Sequence, residues 1–142
     1  MKLYDLFLST LYFLIGTTTL LGKETFFNGN DLTGWSAEDM SYWSVQDGAI
    51  VGTKGDQKII GNQFLWYDKE VSDFKLTLQV KQVPFAANAG IQFRSRREPN
   101  GHAVGYQADI GKGWWGSLYH EHGRRILAKN KDTAGKHLNP EK

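Results

Sequence analysis

Strict alternation of apolar and polar positions marks the chain as a set of short strands. Phe74, Leu76, Leu78 and Val80 take one side of an eight-residue run, and Lys75, Thr77, Gln79 and Lys81 take the other. A strand turns successive side chains to opposite faces, so this run predicts one face buried and one wet. Pro84 ends it, and Ala86 to Ala89 reads as a loop. Gly90 to Arg96 alternates again, placing Ile91, Phe93 and Ser95 on one face and Gln92, Arg94 and Arg96 on the other. Gly105 to Ile110 sets Tyr106, Ala108 and Ile110 against Gln107 and Asp109. Ser117 to Glu121 completes the series, and Phe64 to Tyr67 is a further apolar stretch.

Turn signals separate these runs. Asp47-Gly48 stands between the alternating segments Trp43–Gln46 and Ala49–Gly52, the strongest hairpin signal in the chain. Asn28-Gly29-Asn30-Asp31 and Glu98-Pro99-Asn100-Gly101 are turn clusters. No segment after residue 22 sustains a helical period, so an antiparallel sandwich or barrel is predicted. The stretch from Lys129 to Lys142 is polar, with no apolar period, and is expected to be a tail.

The first 22 residues are different. Met1-Lys2 is a short basic start, and Leu6 to Leu21 is mostly apolar and carries no charge. Gly22 precedes Lys23-Glu24. This pattern predicts a signal helix over 1–22, hence export to the periplasm or cell exterior. The alternatives are an uncleaved membrane anchor, for which the run is slightly short of ~20 residues, and a buried helix.

Composition narrows the function classes. The 142 residues suit one domain, and the absence of cysteine excludes disulfides and cysteine nucleophiles. A net charge of +2 gives no field for nucleic acid or an acidic membrane. Gly111-Lys112-Gly113 lacks phosphate-loop spacing. The 5 Trp, 6 Tyr and 8 Phe supply both core and rings able to stack on sugars. Trp35 and Trp43 read as core, and Trp66 as either core or site.

If strands 90–96, 105–110 and 117–121 are neighbours, Gln92, Arg94, Gln107, Asp109, Tyr119 and Glu121 line one polar face. The plain alternative is a solvated outer face with an Arg–carboxylate pair of small worth. His120 and His122 flank Glu121 as metal-ligand candidates, but a divalent site needs three or four ligands. A surface-loop role is the competing reading for both. No paired-carboxylate cluster of the ordinary glycosidase kind stands on one strand.

Six phrases in order carry a resemblance. They begin with Phe27-Asn28-Gly29-Asn30-Asp31-Leu32-Thr33-Gly34-Trp35 and Trp43 to Ile50. Phe64-Leu65-Trp66 with Ser72 to Leu76 comes next, then Ala89-Gly90-Ile91-Gln92-Phe93-Arg94-Ser95-Arg96. Gly105 to Gly111 and Trp115 to Arg124 complete the set. From about Phe26 to Leu127 the chain resembles the 3-keto-disaccharide hydrolases, exported bacterial proteins. Family domains continue through further strands that are not found here, so the resemblance implies a C-terminally truncated member.

The resemblance implies an all-β, concanavalin-like jelly-roll sandwich over 23–128, incomplete at its C-terminus, and a 3-keto sugar as ligand. It also implies chemistry in which a base takes the proton from C2, beside the ketone, and the glycosidic oxygen leaves C1. Asp109 or Glu121 would be that base, and Arg94 would hold the enolate oxygen. Gln92 and Gln107 would orient hydroxyls, and Trp114, Trp115, Tyr119 and Trp66 would contact the sugar. No cofactor is implied outright, though a divalent metal could replace Arg94 as electrophile. A non-catalytic carbohydrate-binding module and an inactive fragment are the alternatives.

Overall fold

The computed structural model describes residues 2–4, 10–13, 23–53, 55, 61–84 and 86–131. These residues are all-β apart from one 3-10 turn at Met40–Tyr42. Their open antiparallel sheets are of the kind a jelly-roll sandwich stacks. The backbone divides into two compact units, Lys2–Gln82 and Val83–Lys142.

The first unit carries nine strands among the described residues. They are β1 (Lys2–Tyr4), β2 (Thr10–Phe13), β3 (Lys23–Glu24), β4 (Trp35–Ala37) and β5 (Trp43–Gln46), then β6 (Ala49–Gly52), β7 (Leu65–Tyr67), β8 (Phe74–Thr77) and β9 (Lys81–Val83), whose last residue crosses the boundary. The predicted hairpin is β5–β6, with Val45 opposite Ile50 and Gln46 opposite Ala49. Asp47 and Gly48 close it at φ 51° and 74°, the left-handed pair a type I′ turn requires. Ala49, Ile50, Val51 and Gly52 are all buried and form the centre of this unit with Phe27. The Trp43 ring lies over Gly52, where a Cβ would strike it. Trp35 packs against Phe26 and Tyr67 with ring centroids 5.4 and 5.1 Å away.

The predicted strand 74–81 is shorter than its alternation. β8 stops at Thr77, although exposure goes on alternating through Val80. Among the described residues its ladder with β2 ends at the Thr10–Thr77 pair.

Most of the expected signal helix over 1–22 lies outside the described residues. The parts that are described are strands, not helix. β1 lies between β6 and β9 in one sheet, and β2 lies between β3 and β8 in another. Thr10 to Phe13 pairs residue for residue with Thr77 to Phe74. β-branched and aromatic residues favour the extended chain, and a paired edge satisfies backbone groups as well as a helix does. Among the described residues, no helix is long and apolar enough to cross a membrane.

The second unit holds one four-stranded sheet in sequential order: β10 (Asn88–Arg97), β11 (Ala103–Gly111), β12 (Leu118–Glu121) and β13 (Arg125–Ala128). The first three match the predicted runs, with β10 starting inside the expected loop at Asn88. β13 is not among the predicted strands. Its side chains are mostly exposed, Ile126 at 47%, so it lacks the alternation that marks a half-buried strand. The expected tail starts immediately after it. Asn130 is nonetheless tied down: its N–H donates to Ser117 Oγ at 3.1 Å, and its amide donates to Trp115 O at 3.1 Å. Residues 132–142 lie outside the described residues.

Candidate functional site

The site is built on the β10–β11–β12 ladder. Gln92 stands opposite Gln107, and Gln107 stands opposite Tyr119. One step along, Gly90 pairs with Asp109, and one step the other way Gly105 pairs with Glu121. Strand alternation therefore brings Gln92, Gln107, Asp109, Tyr119 and Glu121 to one face, as expected.

Arg94 and Ser95 break the expected pattern. The register shifts between Phe93 and Arg96, and Arg94 takes a left-handed φ of 46°. One extra residue in a strand forms a bulge and reverses the facing of the residues beyond it. Ser95 thereby moves to the polar face, where its side chain lies over Gly105. Arg94 itself sits in the bulge and is exposed.

The polar side chains on this face bond to one another. Ser95 Oγ has two acceptors within 3.0 Å for its single proton, Gln92 Oε1 at 2.9 Å and Phe93 O at 3.0 Å, and Gln92 Nε2 donates to Gln107 Oε1 at 2.9 Å. Gln107 Nε2 then donates to Asp109 Oδ1 at 2.6 Å. Both amides are thus turned toward each other. Gln107 reaches Asp109 by crossing the space above Gly90, where a Cβ would overlap its side chain. Neither Gly90 nor Ser95 is among the residues expected in the site. The register that aligns Gly90 with Asp109 is a long-range property, so the glycine itself is the one signal the sequence offers.

Asp109 is buried, at 9% exposure. Desolvation raises its pKa above the ordinary carboxylate value, and the Gln107 hydrogen bond opposes that rise. Oδ2 accepts no hydrogen bond from the described residues. The result is a buried carboxylate with one oxygen held by Gln107 and the other without a donor among the described residues. Glu121 is half-buried, with Oε1 3.8 Å from His122 Nε2.

The remaining candidates are scattered. Trp114 and Trp115 lie in the 112–116 turn between β11 and β12. Trp114 is exposed, with Lys129 Nζ 4.5 Å from its ring centroid. Trp115 is half-buried. Trp66 sits on β7 in the first unit, near Phe64. His120 faces the other side of the sheet, its ring 4.9 Å from Tyr106, with Nδ1 buried and unpartnered among the described residues. His122 lies in the next turn and stacks on His102 at 5.6 Å. Arg96, Glu98, His102 and His122 border a cavity of about 470 Å³ at this end of the sheet. Among the described residues, no group of three or more His, Asp or Glu could hold a metal ion, so no step is assigned to one.

A family model described as a 3-keto-alpha-glucoside-1,2-lyase-like domain matches residues 22–141. No curated protein and no solved structure matches the chain.

Proposed function

Since the chain belongs to the family of 3-keto-alpha-glucoside-1,2-lyase-like domains, a carbohydrate-active family, we propose that it cleaves the glycosidic bond of 3-keto-disaccharides or related sugars, with Asp109 as the base. The observation that carries this reading is the state of the Asp109 carboxylate, buried, with Oδ1 held by Gln107 at 2.6 Å and Oδ2 accepting no hydrogen bond from the described residues.

In this reading a ketone at C3 acidifies the C2 hydrogen. Asp109 Oδ2 takes that proton, and the C2–H electron pair becomes the C2=C3 double bond of an enolate. The enolate then re-forms the ketone, makes a C1=C2 double bond and expels the glycosidic oxygen from C1. That oxygen leaves with a proton, which protonated Asp109 or water supplies. Water adds across C1=C2, its hydroxyl to C1 and its hydrogen to C2, so the net change is hydrolysis. Burial supports the base role, because a carboxylate short of water is a stronger base than an exposed one. Tyr119, beside Gln107 in the ladder, offers a ring face to the sugar. Glu121 is the second candidate base on the same face.

The exposed ring of Trp114 favours a second reading, a non-catalytic carbohydrate-binding domain. Export belongs to the same proposal and rests on the basic start and apolar run of residues 1–21.

The two readings separate in one experiment. The full chain is incubated with a 3-keto-disaccharide, and the released reducing sugar and any transient enone absorbance are followed. Turnover that disappears in Asp109→Asn while sugar binding persists supports the enzyme. Binding without turnover in the unmutated chain supports the binding domain.

A further inference from the structure

The bonds from Ser95 to Asp109 all run in one direction. At each amide the oxygen faces the Ser95 side and the nitrogen faces the Asp109 side. An ionised carboxylate only accepts, so it requires N–H from Gln107. An amide, however, can present either end after a half-turn that hardly changes its shape. Reversed, Gln107 would set its carbonyl oxygen against Oδ1 and repel the charge. Two features oppose that reversal. Gln92 donates to Gln107 Oε1, and Gln92 Oε1 is the nearest acceptor that the Ser95 hydroxyl reaches, at 2.9 Å against 3.0 Å for Phe93 O. Ser95 reaches Gln92 only because the Arg94 bulge turns it to this face over Gly105.

We propose that Ser95 and Gln92 are positioning residues, which hold the Gln107 amide with its N–H on Asp109 Oδ1 and so make Oδ2 the oxygen that meets the substrate hydrogen. The inference deepens the base assignment and rests on it. No proton travels along the chain. Each donor polarises the next, so the hydrogen bond to Oδ1 is stronger than that of an isolated amide. Stabilising the carboxylate in this way counters part of the effect of burial on its pKa.

The test needs no substrate, so its failure is distinct from failure of the proposed activity. The full chain, labelled with ¹³C and ¹⁵N, is titrated by NMR, following the Asp109 carboxyl and the side-chain amides of Gln92 and Gln107. The expected result is that both amides shift with the Asp109 midpoint. In Ser95→Ala that midpoint moves up, in Gln92→Leu it moves up further, and Ser95→Thr restores it. In turnover, Ser95→Ala shifts the pH profile and lowers kcat with KM little changed. A Gln92 amide that stays silent through the Asp109 titration overturns the proposal. So does an Asp109 midpoint that is the same in folded Ser95→Ala and the unmutated chain. The unmutated titration decides the matter even if a variant does not fold.

Discussion

Gly90 stands directly opposite Asp109 in the β10–β11 ladder, and the Gln107 side chain fills the space a Cβ on Gly90 would take. The smallest residue on β10 is therefore what lets an amide from β11 reach a carboxylate two residues away on its own strand. In Gly90→Ala the Gln107 amide must move, and the 2.6 Å bond to Asp109 is lost. A hydrogen bond to a charged group is worth about 1.5–3 kcal/mol, and water regained by Asp109 offsets part of it. The expected loss of stability is about 1–2 kcal/mol, read from the midpoint of urea unfolding. Turnover should fall with it, since the chain holding Oδ1 is broken.

Asp109 also predicts a pH dependence. Its folded pKa lies above the unfolded value of about 3.8 because burial penalises the charge. The folded state therefore binds the proton more tightly. Its contribution to stability is greatest below the unfolded pKa and declines as pH rises through the folded pKa. Asp109→Asn removes the buried charge, so it should melt at or above the temperature of the unmutated chain at pH 7. It should also lack this component of the decline. Melting curves between pH 3 and pH 7 read both effects. A variant that melts well below the unmutated chain at pH 7 would contradict the assignment of desolvation as the larger influence.

Trp114 tests the sugar-contact role apart from the fold. Its ring is among the exposed ones, with Lys129 Nζ 4.5 Å from the centroid, an arrangement worth about 0.5–1 kcal/mol. Trp114→Ala should therefore change the melting temperature little. If the ring stacks on the sugar, calorimetry should show binding weakened several-fold. Unchanged binding would remove Trp114 from the site.

β1 and β2 make the N-terminal segment a stability question. Each lies between two other strands, so a chain beginning at residue 23 would lose the Leu3–Gly52 pairing and the four pairs between β2 and β8. Such a chain should melt at a lower temperature and less cooperatively than residues 1–142. Equal melting curves would show that these pairings contribute nothing, and would fit a segment removed on export. N-terminal sequencing of the secreted protein reads the processing directly.

Much of the second unit is legible in the sequence. The alternation in 90–96 and 105–110 places Gln92, Gln107 and Asp109 on one face, and the ladder joins them there. The Asp47-Gly48 turn stands where its dipeptide predicts it, because only a few residue types accept two successive left-handed conformations. β13 is not legible, since an exposed strand has no buried face to leave a pattern. Nor is the place of Ser95. A period-two count assumes every residue is paired, and one unpaired residue at Arg94 inverts everything after it.

The sequence by itself determined the all-β class, the positions of β5, β6, β8 and β10 to β12, the hairpin and the polar identity of the site face. These come from the covalent alternation of side chains along an extended chain and from the conformations each turn residue accepts. Only the tertiary structure decided that Ser95 joins that face. It alone decided that Gln107 crosses Gly90 to Asp109, and that Asp109 is buried and held at one oxygen. Those features depend on which backbone groups pair across the ladder and on what residues distant in the chain exclude from water, and neither is encoded in any local period.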